Sequence, residues 1–150
     1  MSLFKEDIIA TCENHLKDKV RSLTAMVLEL SDSANNETKS TAGDKHETGR
    51  AMMQLEQEKL GKQLKEAEDQ LAEFQKTDLN KPSHAIGQGS FVETNKGHFF
   101  IAGSIGKIQV KDKTIFVISH RSPLALVLNG KKQKDTVVFN GVSYIINAIL

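Results

Sequence analysis

From Phe4 to about Ser31 the apolar residues Ile9, Cys12, Leu16, Val20, Leu23, Val27 and Leu30 recur in steps of three and four. That spacing is one face of an α-helix, held for about eight turns. No Pro or Gly interrupts it, so it predicts a coiled-coil arm, with Glu6, Glu13, Lys17 and Arg21 on the solvated side. The pattern lapses through Asn35, Asn36, Ser40, Thr41 and Gly43, which have the composition of a turn. It resumes at Met53 and runs through Leu60, Leu64, Ala67, Leu71 and Phe74, with Gly61 as the one weak helix former. Each arm is roughly 30 residues, or about 45 Å at the helical rise. Neither narrow stripe would hold a helix alone in water, whereas two matched arms zipped antiparallel bury one shared seam. An antiparallel coiled-coil hairpin over residues 1–76, with its tip at about 32–47, is therefore expected. A single interrupted helix that dimerises with another chain is the alternative. The breaker cluster favours the intramolecular hairpin and hence a monomer.

Residues 77–89 carry a Pro and two Gly without periodicity and are expected to be a linker. After them come short β-rich runs: Ser90–Glu93 and His98–Ala102 across Asn95-Lys96-Gly97, then Lys107–Val110 and Thr114–Ser119 across Lys111-Asp112-Lys113. The run PLALVL from Pro123 to Leu128 reads as a short helix, opened by Pro at a first-turn position and ended at Asn129-Gly130. Thr136–Phe139 and Ser143–Ile149 form a last hairpin across Asn140-Gly141. The expectation for residues 90–150 is a small antiparallel β domain with one short helix, making the whole chain α+β.

Charge divides along the same line. Residues 1–79 hold 11 Lys/Arg against 16 Asp/Glu, and residues 80–150 hold 9 against 3. A partner presenting both signs of charge fits this better than free nucleic acid, because the basic half lacks a dense Arg/Lys run with interleaved aromatics. Cys12 is the only cysteine, which excludes a disulfide framework and a thiolate zinc site. Its place in the helical stripe makes it a core residue. The start MSLFKEDIIA lacks the basic and apolar regions of a signal peptide, and no apolar stretch nears membrane-spanning length. A cytoplasmic chain with no membrane partner is expected. Asn36-Glu37-Thr38 matches the glycosylation triplet by chance on that reading.

The run Ser122-Pro123-Leu124-Ala125, Leu128, Gly130-Lys131-Lys132, Asp135 and Val137, followed by Gly141 and Tyr144, resembles the C-terminal domain of the Gre transcription elongation factors. That family shows S-P-[LI]-[AG]-x-x-L-x-G-K-K-x-x-D-x-V before a closing G-x-x-Y hairpin. The resemblance implies an FKBP-like C-terminal domain behind an antiparallel coiled-coil hairpin, the architecture that periodicity also predicts. It further implies binding to bacterial RNA polymerase through the secondary channel, indirect contact with nascent RNA, and modulation of elongation. Ser122, Pro123, Leu124, Lys131 and Lys132 would then lie on the surface that docks at the channel rim. In the family, two tip carboxylates of a G-D-x-x-E-N-x-E-Y motif help hold a Mg²⁺ and a water at the polymerase active site. The polymerase itself then hydrolyses the backtracked transcript, so the factor is not an enzyme on its own. Paired carboxylates suit this because Mg²⁺ prefers hard oxygen ligands.

Carried over, Gly43, Asp44 and Glu47 match the first part of that motif, and Asp44 and Glu47 are the candidate catalytic and metal-directed residues. Thr48, Arg50 and Ala51 stand where the family has Asn, Glu and Tyr. A second register places the tip pair at Asp32 and Glu37. Asp44-x-x-Glu47 is equally what a helix start calls for, an acidic cap with Glu three residues on. Two further functions stay open: a secondary-channel regulator without cleavage activity, and a coiled-coil adaptor unrelated to polymerase. His15, His46, His84, His98 and His120 have no metal-ligand spacing, and His46 reads as a loop residue. No nucleophile elbow or phosphate-cradling glycine motif is present. Prolyl isomerase activity is not expected, since Phe91, Phe99, Phe100, Phe116, Phe139 and Tyr144 are needed for the domain's own core.

Overall fold

The computed structural model describes residues 3–38, 44–80 and 83–150. Two long helices, α1 (Leu3–Thr38) and α2 (Asp44–Lys76), precede strands β1 (Phe91–Thr94), β2 (Gly97–Ile101), β3 (Gly106–Val110) and β4 (Lys113–Ile118). The short helix α3 (Pro123–Leu128) and strands β5 (Thr136–Phe139) and β6 (Val142–Ile149) complete the chain. It is a mixed α+β fold: a helical hairpin, then a six-stranded, mostly antiparallel sheet with one short helix. The chain divides into two compact units, Leu16–Ala72 on the one hand and Met1–His15 with Glu73–Leu150 on the other. The bases of both long helices thus group with the sheet.

In the Leu16–Ala72 unit the two helices run side by side in opposite directions. One cleft is lined by Leu23 together with Gln63 and Glu66, and another by Leu30 together with Glu56 and Leu60. Facing residue numbers therefore sum to a near-constant value, as antiparallel pairing requires. Leu23 and Ala67 are buried in the seam, and Val20, Val27, Leu30, Leu60, Leu64 and Leu71 are half-buried. Two helices alone cannot close a seam, so most of its apolar side chains keep one edge in water. Gly61 lies on the exposed side of α2, where an added Cβ would meet nothing within 4 Å. Gly61→Ala is expected to stabilise the protein by about 1 kcal/mol through the unfolded chain and helix propensity. A higher urea midpoint at unchanged slope would show it.

α1 extends seven residues beyond Ser31, to Thr38. Most of the residues Ser31–Thr38 are weak helix formers, Ala34 and Glu37 excepted, but none is a Gly or Pro, so the helix is not forced to stop. At its base the buried residue is Ile8, with Ile9 only half-buried. Cys12 is fully buried, and burial pushes its thiol up to about 12, which leaves it protonated and inert.

The sheet order is β3-β4-β2-β1-β6-β5. The sheet is antiparallel as expected except at one place: β2 and β4 pair in parallel, Phe99 beside Phe116 and Ile101 beside Ile118. The reason lies in the side chains. Phe99, Phe100 and Ile101 are buried on both faces, so β2 needs a partner on each side. β3 exposes Gly106, Lys107 and Gln109 and suits the edge. The β3–β4 hairpin therefore turns back and inserts β4 next to β2. Its turn uses Lys111 and Asp112 at φ 49° and 66°, and the β5–β6 turn uses Asn140 and Gly141 at φ 50° and 77°. Positive φ at both central residues is what two-residue hairpin turns demand.

Each sheet face has its own cover. On one, Val92, Phe99, Ile101, Val137 and Ile146 pack with Ala125 and Leu128 of α3 and with Ile86. On the other lie Phe91, Phe100, Ile115 and Val117, all 0–1 % exposed. Phe4 of α1 meets Phe91 edge-on at 5.7 Å, and the Lys113 ammonium sits 5.1 Å from the Phe4 ring centre. Asp7 pairs with Lys111 at 2.9 Å. Lys5 is 1 % exposed, and its Nζ donates to the Leu150 carbonyl at 3.0 Å. Burial pulls this ammonium below its usual range, an effect that Asp78 only partly offsets.

Candidate functional site

The candidate residues fall in two places, one in each compact unit. The first is the hairpin end. Asp44 is the first residue of α2, and Glu47 falls in its first turn. Residues three apart on a helix share a face. The positive end of the helix favours carboxylates there. The side chains of Asp44, Glu47, His46 and Glu37 lie outside the described residues, as does Gly43 altogether. Asp32 is exposed within α1, six residues before its end, and Glu37 stands in the last turn of that helix. The second-register pair thus straddles more than a turn of α1, while Asp44 and Glu47 sit within one turn beside the connection. Arg50 and Ala51 are exposed on the next turn of α2. Among the described residues no group of three or more His, Cys, Asp or Glu is gathered to hold a metal ion.

The second place is α3 and the loop after it. Ser122 caps the helix: its Oγ accepts from the Ala125 N–H at 3.4 Å and donates to the Ser119 carbonyl at 2.7 Å. Pro123 follows at the first helical position, where its missing N–H costs nothing. Ala125 and Leu128 face the sheet, Leu124 is half-buried, and Leu126 is 64 % exposed. The local sequence therefore fixes both the start of α3 and the side it shows to solvent.

Beyond α3 the backbone is held by hydrogen bonds and the lysines are exposed. Gly130, at φ +80°, donates to the Ile86 carbonyl at 2.8 Å, and Ile86 returns a bond to the Lys131 carbonyl at 2.8 Å. Asp135 Oδ2 accepts from the Lys132 N–H at 2.8 Å. The exposed ammonium groups of Lys131, Lys132 and Lys134 thus rise from a loop that cannot wander far. Ile86 is 2 % exposed and anchors what the sequence presents as a plain linker. Its signal was a branched apolar residue in a polar stretch, as was that of Leu79, 5 % exposed. Ser122, Pro123 and Leu124 stand at the start of α3, and Lys131 and Lys132 follow its exit, all outside the fully buried core.

His98 is the remaining titratable group of note. It stacks on Phe91 at 5.7 Å and 24°, with its Nδ1 buried and without a hydrogen-bond partner. It belongs to the face under α1 rather than to either candidate site. No helix among the described residues is long and apolar enough to cross a membrane.

No family model matches this chain, and no curated protein matches it. A solved structure described as that of the transcription factor Gfh1 aligns over 91 % of this chain and 92 % of that one, at 16 % identity and a TM-score of 0.38. At that score the likeness carries no functional weight.

Proposed function

We propose that this protein is a Gre-type factor that binds RNA polymerase through the secondary channel, modulates elongation, and stimulates cleavage of backtracked transcripts by the polymerase. The observation that carries this reading is the run Ser122–Lys132, whose residues resemble the family's docking segment. It folds as a capped helix followed by a hydrogen-bonded loop with two exposed lysines, and a third, Lys134, follows. The hairpin supports it too, because an acid pair opens its second helix next to the connection. On this reading the basic loop and the Leu124–Leu126 side of α3 dock on the polymerase, and the hairpin reaches the active site.

On the same reading Asp44 and Glu47 would be the donors to a metal shared with the polymerase. Two carboxylates one turn apart supply two hard oxygen ligands, and Mg²⁺ leaves its other positions to water and to the partner. The metal, when bound, supplies water activation and charge neutralisation at the transcript end. Hydrolysis belongs to the polymerase, and this chain contributes ligands and position.

The test is transcript release from stalled, backtracked complexes. Wild type is expected to accelerate release, and Asp44→Ala/Glu47→Ala to lower the rate at least 100-fold, to that of polymerase alone. Equal rates with and without the acids would remove the cleavage role. A second reading is favoured by Arg50 and Ala51, exposed where the family carries Glu and Tyr. In it the protein occupies the channel without cleaving and acts as an inhibitor. Competition with an authentic cleavage factor, without release of its own, would identify that case.

A further inference from the structure

We infer that one flank of the helical hairpin is a docking groove for an amphipathic helix of a partner protein, one with Lys or Arg beside its apolar stripe. The inference stands on the Leu16–Ala72 unit alone and is independent of the polymerase reading.

Two clefts lie along the seam. One, of about 470 Å³, is lined by Lys19, Ser22, Leu23, Gln63, Glu66 and Gln70. The other, of about 260 Å³, is lined by Met26, Glu29, Leu30, Ser33, Glu56 and Leu60. On α1 the flanking positions are 19, 22, 26, 29 and 33, which at 100° per residue form one stripe beside the seam. On α2 the positions 56, 63, 66 and 70 form the matching stripe. In an antiparallel pair these two stripes look out from the same side. The clefts are therefore two parts of one groove, about 21 Å long at the helical rise. Four turns of a third helix would fill it.

The lining states the chemistry of the occupant. The floor is apolar, with Leu23, Leu30 and Leu60, and Met26 protrudes into it 46 % exposed. Methionine adapts to an incoming apolar side chain. Ser22 and Ser33 are small and let a backbone approach. The rims carry Glu29, Glu56 and Glu66 against Lys19 alone, and none of the four is ion-paired among the described residues. Two ion pairs of the unit, Arg21–Asp18 and Lys65–Asp69, lie elsewhere on the helices. Gln70 adds a buried Oε1 that accepts no hydrogen bond. A helix with leucines at its seam and cations on its flanks answers each of these: apolar floor, acidic rims and a free acceptor.

The experiment uses the full chain and a synthetic 21-residue helical peptide with Leu at seam positions and Lys on the flanks. An analogue carries Glu in place of every Lys, and binding is followed by fluorescence anisotropy without polymerase. The Lys peptide is expected to saturate, with the Glu analogue at least tenfold weaker. Met26→Glu is expected to weaken the Lys peptide at least tenfold, and Glu29→Lys/Glu56→Lys to reverse the preference between the two peptides. Leu28→Glu, at an exposed position off the groove, should leave binding unchanged. No binding, equal binding of both peptides, or binding indifferent to Met26→Glu would overturn the inference. So would a dimer mass that Met26→Glu dissolves, since the occupant would then be a second copy.

Discussion

Phe91→Ala is expected to remove about 3–5 kcal/mol of folding stability. Phe91 is fully buried and holds three things together. Its ring receives the edge of Phe4 and stacks on His98. Its backbone exchanges both hydrogen bonds with Leu150, at 2.9 and 2.8 Å, where the Lys5 ammonium also bonds. Truncation leaves a void between α1 and the sheet that neither rigid neighbour can collapse to fill. The loss is read as a fall in the urea midpoint of about 2 M for a slope near 2 kcal/mol per M. Phe116→Ala is the control: that ring is 40 % exposed, and its loss should cost much less. Equal costs at the two positions would mean that Phe91 is not the joint between helix and sheet.

Leu128→Ala acts on the opposite face and is expected to cost about 2–5 kcal/mol. Leu128 is 0 % exposed and, with Ala125, is how α3 grips the sheet beside Val92, Ile101 and Ile146. For a unit of this size that cost lowers Tm by more than about 10 °C. Leu126→Ala on the same helix, at a solvent-facing position, should change Tm by less than about 3 °C. The pair also separates seating from docking. On the proposed reading, Leu128→Ala is expected to weaken polymerase binding by loosening α3, and Leu126→Ala to weaken it with stability intact if that side of α3 is the contact.

Much of the fold was legible because local signals and tertiary demands agree. α3 has the bounds that Ser122-Pro123 and Asn129-Gly130 announce, and β5 begins and ends where its alternation does. Cys12, Leu16, Leu23, Ala67 and Phe74 are buried as the helical stripes require. The misses occur where nothing local decides. α1 runs on to Thr38 through residues that give no periodic signal. The choice of Ile8 over Ile9 is set at the base of α1, where the sheet rather than α2 is the neighbour. The parallel β2–β4 pair is a non-local choice, driven by the two-sided burial of β2. Lys5 reads as a surface residue in any sequence and is nearly fully buried here.

The candidate docking surface was legible as a motif, and the structure adds what holds it: the Ser122 cap, the Ile86–Lys131 backbone pair and the Asp135 bond to Lys132. The tip was legible only as two acids at a helix start. Spacing alone serves both a cap and a metal-directed pair, and only function separates them.

The most direct measurement is the affinity of the full chain for core RNA polymerase, with an authentic cleavage factor as competitor. Wild type is expected to bind and to be displaced. Lys131→Glu/Lys132→Glu should weaken binding at least tenfold with Tm unchanged, and Asp44→Ala/Glu47→Ala should bind as wild type does. A chain that does not bind polymerase, or that binds without being displaced by the competitor, would contradict the account.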